Sequence, residues 1–172
     1  MCENSWYDQK IGEALAREAL EKSNDGLIAF LSTPAAFKAL KELEPERKYV
    51  YLFNYDHRFG DQYGDIFVFY DYNNPLDLDS KLHHFLDYVL VEPPYLTSQF
   101  EEIECKQILK TPNTFINSGA MHKVMYNERQ LVPRGFVPTF ESKLSNRLTT
   151  YINYKSERFG PCAHEFDDDV EE

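Results

Sequence analysis

Glu92, Pro93, Pro94 and Tyr95 interrupt the stretch "LDYVLVEPPYL" at residues 86–96, and their types together describe a place to hold an amine. A proline has no N–H and cannot continue a strand ladder, so two in succession fix an extended turn whose carbonyl groups stay free as acceptors. A carboxylate, rigid carbonyls and an aromatic ring brought together can accept the N–H groups of an amine while the ring packs against it. The same four residues also read simply as a proline-terminated strand. Other polar groups follow other apolar runs: Ser32, Thr33 and Pro34; Asn54 and Asp56; Asp71 and Tyr72; and "SGA" at 118–120. No G-x-G-x-x-G or P-loop pattern occurs among them, so nothing supports a dinucleotide or ATP directly. Cys162 and His164 form a lone C-x-H, and His83 and His84 are neighbours that do not share a helix face, so no metal site is expected. No spacing supports a Ser/His/Asp or Cys/His nucleophilic set.

Segments of two kinds alternate along the chain and would position these groups. "IGEALAREALEKS", 11–23, sets Ile11, Leu15, Ala19 and Leu20 at helical spacing, with Asn24 to Gly26 as the stop. "GLIAFLS", 26–32, is a short unbroken apolar run and predicts a strand. "TPAAFKALKELEP", 33–45, predicts a helix with Thr33 as cap, Pro34 at the first helical position and Pro45 just past the end. "KYVYLFNYD", 48–56, and "DIFVFYDY", 65–72, are aromatic and β-branched strands joined by a turn-prone loop, "HRFGDQYG". A short helix around "DLDSKLHHF" leads to a strand at 87–91, an amphipathic segment at 97–110 and a strand at 113–119. Two further strands are expected around Phe136 and Tyr151. Strands without polar alternation, separated by helices, predict an α/β fold: a doubly wound, mostly parallel seven-stranded sheet flanked by helices. Ligands of such sheets bind outside the carboxyl ends of the strands, near the switch point, which is where the polar groups above fall.

The 172 residues fit one domain, expected over 1–163, with 164–172, "HEFDDDVEE", as an acidic tail. The tail reads as a solvated terminus or, more sharply, as a site for a basic protein. Aromatic residues make up 15% of the chain, enough large apolar side chains to bury a core. No apolar run approaches the roughly 18 residues of a membrane span, and the opening residues lack the pattern of a signal peptide. Cys2, Cys105 and Cys162 are few and far apart, which suits a reducing compartment. A soluble, monomeric, cytoplasmic protein is therefore expected, with no membrane partner. A formal net charge of −11 repels phosphate backbones and makes nucleic acid an unlikely partner.

"VEPPY" resembles the (Asp/Asn)-Pro-Pro-(Tyr/Phe) motif that follows the fourth strand in class I S-adenosylmethionine-dependent amino-methyltransferases. Within that class the chain most resembles the branch first labelled adenine-specific DNA methyltransferases and then recognised as lysine methyltransferases of translation elongation factor 1-alpha. The similar segments are "WYD" at 6–8, "FNYDHRF" at 53–59, "FVFYDYNNPLDL" at 67–78, "VEPPYL" at 91–96, "SGA" at 118–120, and "FVP" with "NRLTTYINY" near the end. The resemblance implies that S-adenosyl-L-methionine lies over the strand ends. Trp6 and Tyr7 would close the site, Ser32, Thr33 and Pro34 would form the loop under the methionine part, and Asn54, with Asp56 two residues on, would face the ribose. Asp71 and Tyr72 would border the adenine. Glu92, Pro93, Pro94 and Tyr95 would receive the target amine, Glu92 also adjoining the cofactor. Two residues depart from the pattern: Glu92 stands for an aspartate, and Asn54 for an acid.

The residues and the resemblance together lead to a protein-lysine N-methyltransferase that uses S-adenosyl-L-methionine and acts on a basic protein, elongation factor 1-alpha. A catalytically silent methyltransferase-like binding protein is one alternative, suggested by Glu92 and Asn54. An adenine amino-methyltransferase of nucleic acid is the other, which the motif permits and the charge opposes.

Overall fold

All four residues of the apolar run Ile28–Leu31 are buried, and they form the strand around which the molecule is built, β1. A computed structural model of the chain describes residues 8–71, 86–92, 112–118, 125, 131–138 and 148–161. Trp6, Tyr7, Tyr72, Pro93, Pro94 and Tyr95 lie outside the described residues, as do the short helix expected at 77–85, the amphipathic segment at 97–110 and the acidic tail.

Helix α1 (Gln9–Ser23) begins two residues before the apolar spacing does, because the Asp8 carboxylate accepts from the Lys10 N–H and caps it. It ends at Asn24 and Asp25, both in left-handed backbone with φ of 47° and 63°. After β1 comes α2 (Pro34–Leu43). Thr33 stands at its cap as the sequence suggests, but its hydroxyl makes no capping bond. Strand β2 (Val50–Asn54) follows.

The expected loop at 57–64 is instead helix α3 (Arg58–Tyr63), continued by a 3-10 turn at Gly64–Ile66. Two contacts account for it. The Asp56 carboxylate accepts from the Arg58 N–H at 3.0 Å at the helix start, and Phe59 and Tyr63, one turn apart, stack at 6.2 Å over the core. The strand expected at 65–72 is correspondingly shortened to β3 (Phe67–Phe69).

Strands β4 (Tyr88–Val91) and β5 (Asn113–Ser118) fall where expected. The strand sought around Phe136 lies upstream, as β6 (Val132–Arg134), and β7 (Leu148–Ile152) contains Tyr151. Phe136 is apolar because its ring packs on Phe159 at 4.9 Å. Pro133 sits in β6, which is an edge strand and so tolerates its missing N–H.

The seven strands run in the order β3-β2-β1-β4-β5-β7-β6. The first five are mutually parallel; β7 pairs antiparallel with both β5 and β6. The predicted doubly wound, mostly parallel sheet is thus present, with its change of direction between β1 and β4. Successive β1 residues alternate between two apolar layers. Ile28 and Phe30 pack with Leu15 and Ala19 of α1 and Phe37 and Leu40 of α2, while Ala29 and Leu31 pack with Val89, Met125 and Leu131 on the other face.

The amino edge is closed by polar anchoring. Asp87 Oδ2 accepts from the Leu27 N–H at 2.7 Å, and a Cβ on Gly26 would stand 2.2 Å from that same oxygen, so only glycine fits there. Arg158 pairs with both Glu18 and Glu21 of α1 at 2.6 Å, fastening the segment after β7. Beneath it, the hydroxyls of Tyr88, Thr114 and Tyr154 contact one another at 2.5 to 3.0 Å.

Candidate functional site at the carboxyl edge of the sheet

Ser32, Asn54 and Glu92 lie side by side where β1, β2 and β4 end. The pairing Leu31↔Phe53 and Leu31↔Val91 puts the next residue of each strand in register. Two further backbone bonds extend the ladder beyond the strands: Ser32 N–H donates to Phe53 O at 2.9 Å and Glu92 N–H to Leu31 O at 3.2 Å. Adjacent strands sit about 4.8 Å apart, so the three residues span roughly 10 Å across the point where the strand order reverses. Tyr70 N–H donates to Asn54 O at 2.9 Å, which brings Asp71 to the same edge from β3. All of these polar residues are half-buried.

The turn after β1 is the most constrained part. Ser32 has a φ of 56°, left-handed for a residue with a side chain, in the single residue between β1 and the cap of α2. Such backbone is unfavourable by about 1 kcal/mol or more and recurs at functional sites. Thr33, next in sequence, is wholly buried, and its Oγ1 has no partner. A buried hydroxyl without a partner costs on the order of 1 to 3 kcal/mol, which a polar ligand at the start of α2 would offset. Pro34, at the first helical position, fixes the direction in which α2 leaves.

Asn54 and Asp56 are bound to their own loop. Asn54 Oδ1 accepts from the Asp56 N–H at 2.9 Å, leaving its NH2 as the group able to donate to a ligand. The Asp56 carboxylate accepts from Arg58 N–H, Nε and Nη2, the last at 2.6 Å. The Arg58 guanidinium, through this hydrogen bonding, holds the Asp56 carboxyl below its ordinary range. Its geometry makes Asp56 an organiser of α3. The sequence thus leads to seven described residues, of which Ser32, Thr33, Pro34, Asn54, Asp71 and Glu92 share one edge while Asp56 turns to Arg58.

Sequence reasoning did not single out the aromatic surface beside this edge. Tyr55 and Phe69 are 54% and 40% exposed; their rings lie 5.5 Å apart, and His57 stacks on Phe69 at 4.1 Å and 3°. "NYDHRF" carries a signal in its run of rings, but the helix that folds His57 back over Phe69 has the sequence pattern of a loop. Among the described residues no group of three or more His, Cys, Asp or Glu could hold a metal ion.

Residues 4–156 match the family model described as "Probable N6-adenine methyltransferase". The chain is 36% identical over 156 residues to EEF1A lysine methyltransferase 1 of Homo sapiens, covering 88% of this chain and 72% of that protein. It is 34% identical to the protein of the same name from Danio rerio, covering 88% of this chain and 95% of that one. Protein-lysine N-methyltransferase EFM5 of Saccharomyces cerevisiae is 27% identical, with 87% and 69% covered. Among solved structures, the E. cuniculi Mtq2-Trm112 complex, described as methylating the eRF1 translation termination factor, aligns with a TM-score of 0.50 at 19% identity. That alignment covers 88% of this chain and 99% of the other, and the likeness is one of fold, that of class I methyltransferases.

Proposed function

The chain belongs to the N6-adenine methyltransferase family, and from that premise we propose that it is a protein-lysine N-methyltransferase acting on translation elongation factor 1-alpha with S-adenosyl-L-methionine. The observation that carries this reading is the row of Asn54, Ser32 and Glu92, in register at the carboxyl edge where the strand order reverses. The relatives named as lysine methyltransferases supply the substrate class. The net charge of −11 favours a basic protein over a nucleic acid. A reducing compartment suits the three dispersed cysteines, so the reading includes a cytoplasmic location.

The residues present fit the cofactor. The unpartnered Thr33 hydroxyl, the left-handed Ser32 and Pro34 would hold its amino-acid part, Asn54 would donate to a ribose hydroxyl oxygen, and Asp71 would accept from the adenine amino group. When bound, the cofactor supplies a methyl group already activated on a sulfonium, so the protein's contribution is positioning. Glu92 accepts N–H bonds from the incoming lysine and aims its lone pair. A lysine amine ordinarily titrates near 10.4 and must be neutral to attack. The Glu92 charge favours the ammonium form, so turnover should rise with pH through the neutral range.

The test is incubation of the protein with elongation factor 1-alpha and methyl-labelled cofactor, followed by mass spectrometry of the product. Methyl on a lysine side chain is the expected outcome. Label that survives protease and disappears with nuclease would establish the adenine alternative in its place.

A further inference from the structure

We infer that Asp87 and Tyr88 are positioning residues: from the amino end of β4 they set the height at which Glu92 stands at the other end. The inference rests on the proposed reading of Glu92 as acceptor of the target amine and assigns what holds it in place. Glu92 lies five residues from Asp87 along extended backbone, roughly 16 Å. Past Glu92 the chain can donate no further rung for two residues, because Pro93 and Pro94 have no N–H. Burial alone chooses the height poorly. Tyr88–Val91 is buried on both faces, and a shift of one residue, which exchanges the faces, would set mostly apolar side chains against apolar layers again.

At its amino end the strand is fastened to both neighbours. Toward β1, Asp87 and Leu27 exchange two hydrogen bonds: Asp87 N–H donates to Leu27 O at 2.8 Å, and Leu27 N–H donates to Asp87 Oδ2 at 2.7 Å. The seat of that carboxylate is fixed in turn. Gly26 N–H donates to Ser23 O at 2.8 Å, and Gly26 O accepts from Arg47 Nη2 at 2.7 Å. Toward β5, the Tyr88 hydroxyl contacts Thr114 Oγ1 at 2.5 Å and the Tyr154 hydroxyl at 3.0 Å. The bond from Glu92 N–H to Leu31 O is 3.2 Å, longer than any of these, so the firmer hold on β4 is the one at its start.

Both side chains can be altered without opening the core. Asp87 is exposed, so the Leu27 N–H meets water when the carboxylate is removed. Tyr88→Phe keeps the buried ring and leaves the Thr114 and Tyr154 hydroxyls in contact with each other at 3.0 Å. A change in the position of Glu92 can therefore be separated from loss of the fold.

Amide hydrogen exchange, followed by NMR without cofactor or substrate, tests the clamp apart from catalysis. In the double variant Asp87→Ala with Tyr88→Phe, the Glu92 N–H should exchange at least about tenfold faster. The Ser32 N–H, which bonds to Phe53 O on the far side of β1, should stay within about twofold of wild type. In steady-state methylation of elongation factor 1-alpha the double variant should lose about 10-fold in kcat and each single variant about 3-fold. A misplacement of about 1 Å is worth on the order of 100-fold, and these losses correspond to a fraction of that shift. The calorimetric Kd for S-adenosyl-L-methionine should stay within about twofold, and Asp87→Asn, which can place a carbonyl oxygen where Oδ2 stands, should retain a kcat close to wild type. Faster exchange at Glu92 and Ser32 alike would show a merely structural role and overturn the clamp, as would an unchanged kcat in the double variant of an active enzyme. Faster exchange confined to Glu92, with no lysine methylated by the wild type, would instead overturn the proposed function and leave the clamp standing.

Discussion

Glu92 reaches one methylene further than the aspartate that the resemblance leads one to expect, and its backbone is fixed by the N–H bond to Leu31 O at 3.2 Å. The extra length therefore moves the carboxylate by roughly 1.5 Å relative to an aspartate on the same backbone. A displacement of that size is worth on the order of 100-fold in rate, so Glu92→Ala and Glu92→Asp should each lower turnover by about that factor in steady-state assays. Equal rates for wild type and both variants would remove the amine-docking role. Ser32 makes a separate prediction about stability. Glycine there relieves the left-handed backbone but loosens the unfolded chain, so Ser32→Gly should raise stability by roughly 0.5 to 1 kcal/mol, read from urea denaturation. Residue types at strand ends made most of these positions legible in the sequence. Partners were not legible: nothing in "NYDHR" says that the Asp56 charge is taken by Arg58 two residues on, or that the Thr33 hydroxyl is buried without a partner.

Elements were legible where one physical cause dominated. Unbroken apolar runs gave β1, β4 and the parallel order, because a strand buried on both faces has no polar alternation to hide it. Helix α3 is hidden because Gly60 within it and Gly64 just past it argue for a turn, whereas the Asp56 carboxylate's bond to the Arg58 N–H and the Phe59–Tyr63 pair decide for helix. The fastening of the segment after β7 was equally hidden, since Arg158 and Glu18 are 140 residues apart. That contact has a measurable weight. The Glu18 side chain is 1% exposed and its Oε1 has no partner, so removing Arg158 leaves a buried carboxylate uncompensated. Arg158→Ala should destabilise the fold by about 3 kcal/mol, and adding Glu18→Gln should recover much of the loss in a double-mutant cycle. Additive effects in chemical denaturation would show that the pair does not couple.

For the molecule as a whole, two quantities act at a distance: phenols buried in and beside the sheet and the net charge of −11. Burial holds the Tyr151 hydroxyl up to about 12 and raises Tyr88 and Tyr154 as well. Because these folded values lie above the ordinary value near 10, the unfolded chain loses the protons first. Stability from this source is therefore complete below about pH 10 and falls as pH rises from there, for Tyr151 until about 12. Tyr151→Phe should therefore flatten the fall of Tm between about pH 10 and 12, read by thermal denaturation across that range. The net charge acts on encounter. An acidic body attracts a basic protein over about one Debye length, roughly 10 Å at 0.1 M salt and 3 Å at 1 M, whereas a ligand seated among half-buried residues at the strand ends is screened much less. Raising salt from about 0.05 to 0.5 M should therefore raise KM for elongation factor 1-alpha several-fold while moving the calorimetric Kd for S-adenosyl-L-methionine by less than about twofold. RNA titrated at low salt into this protein alone should show no binding, since the same field repels phosphate. Binding of RNA, or a KM indifferent to salt, would mean that a local basic surface and not the overall charge governs substrate approach.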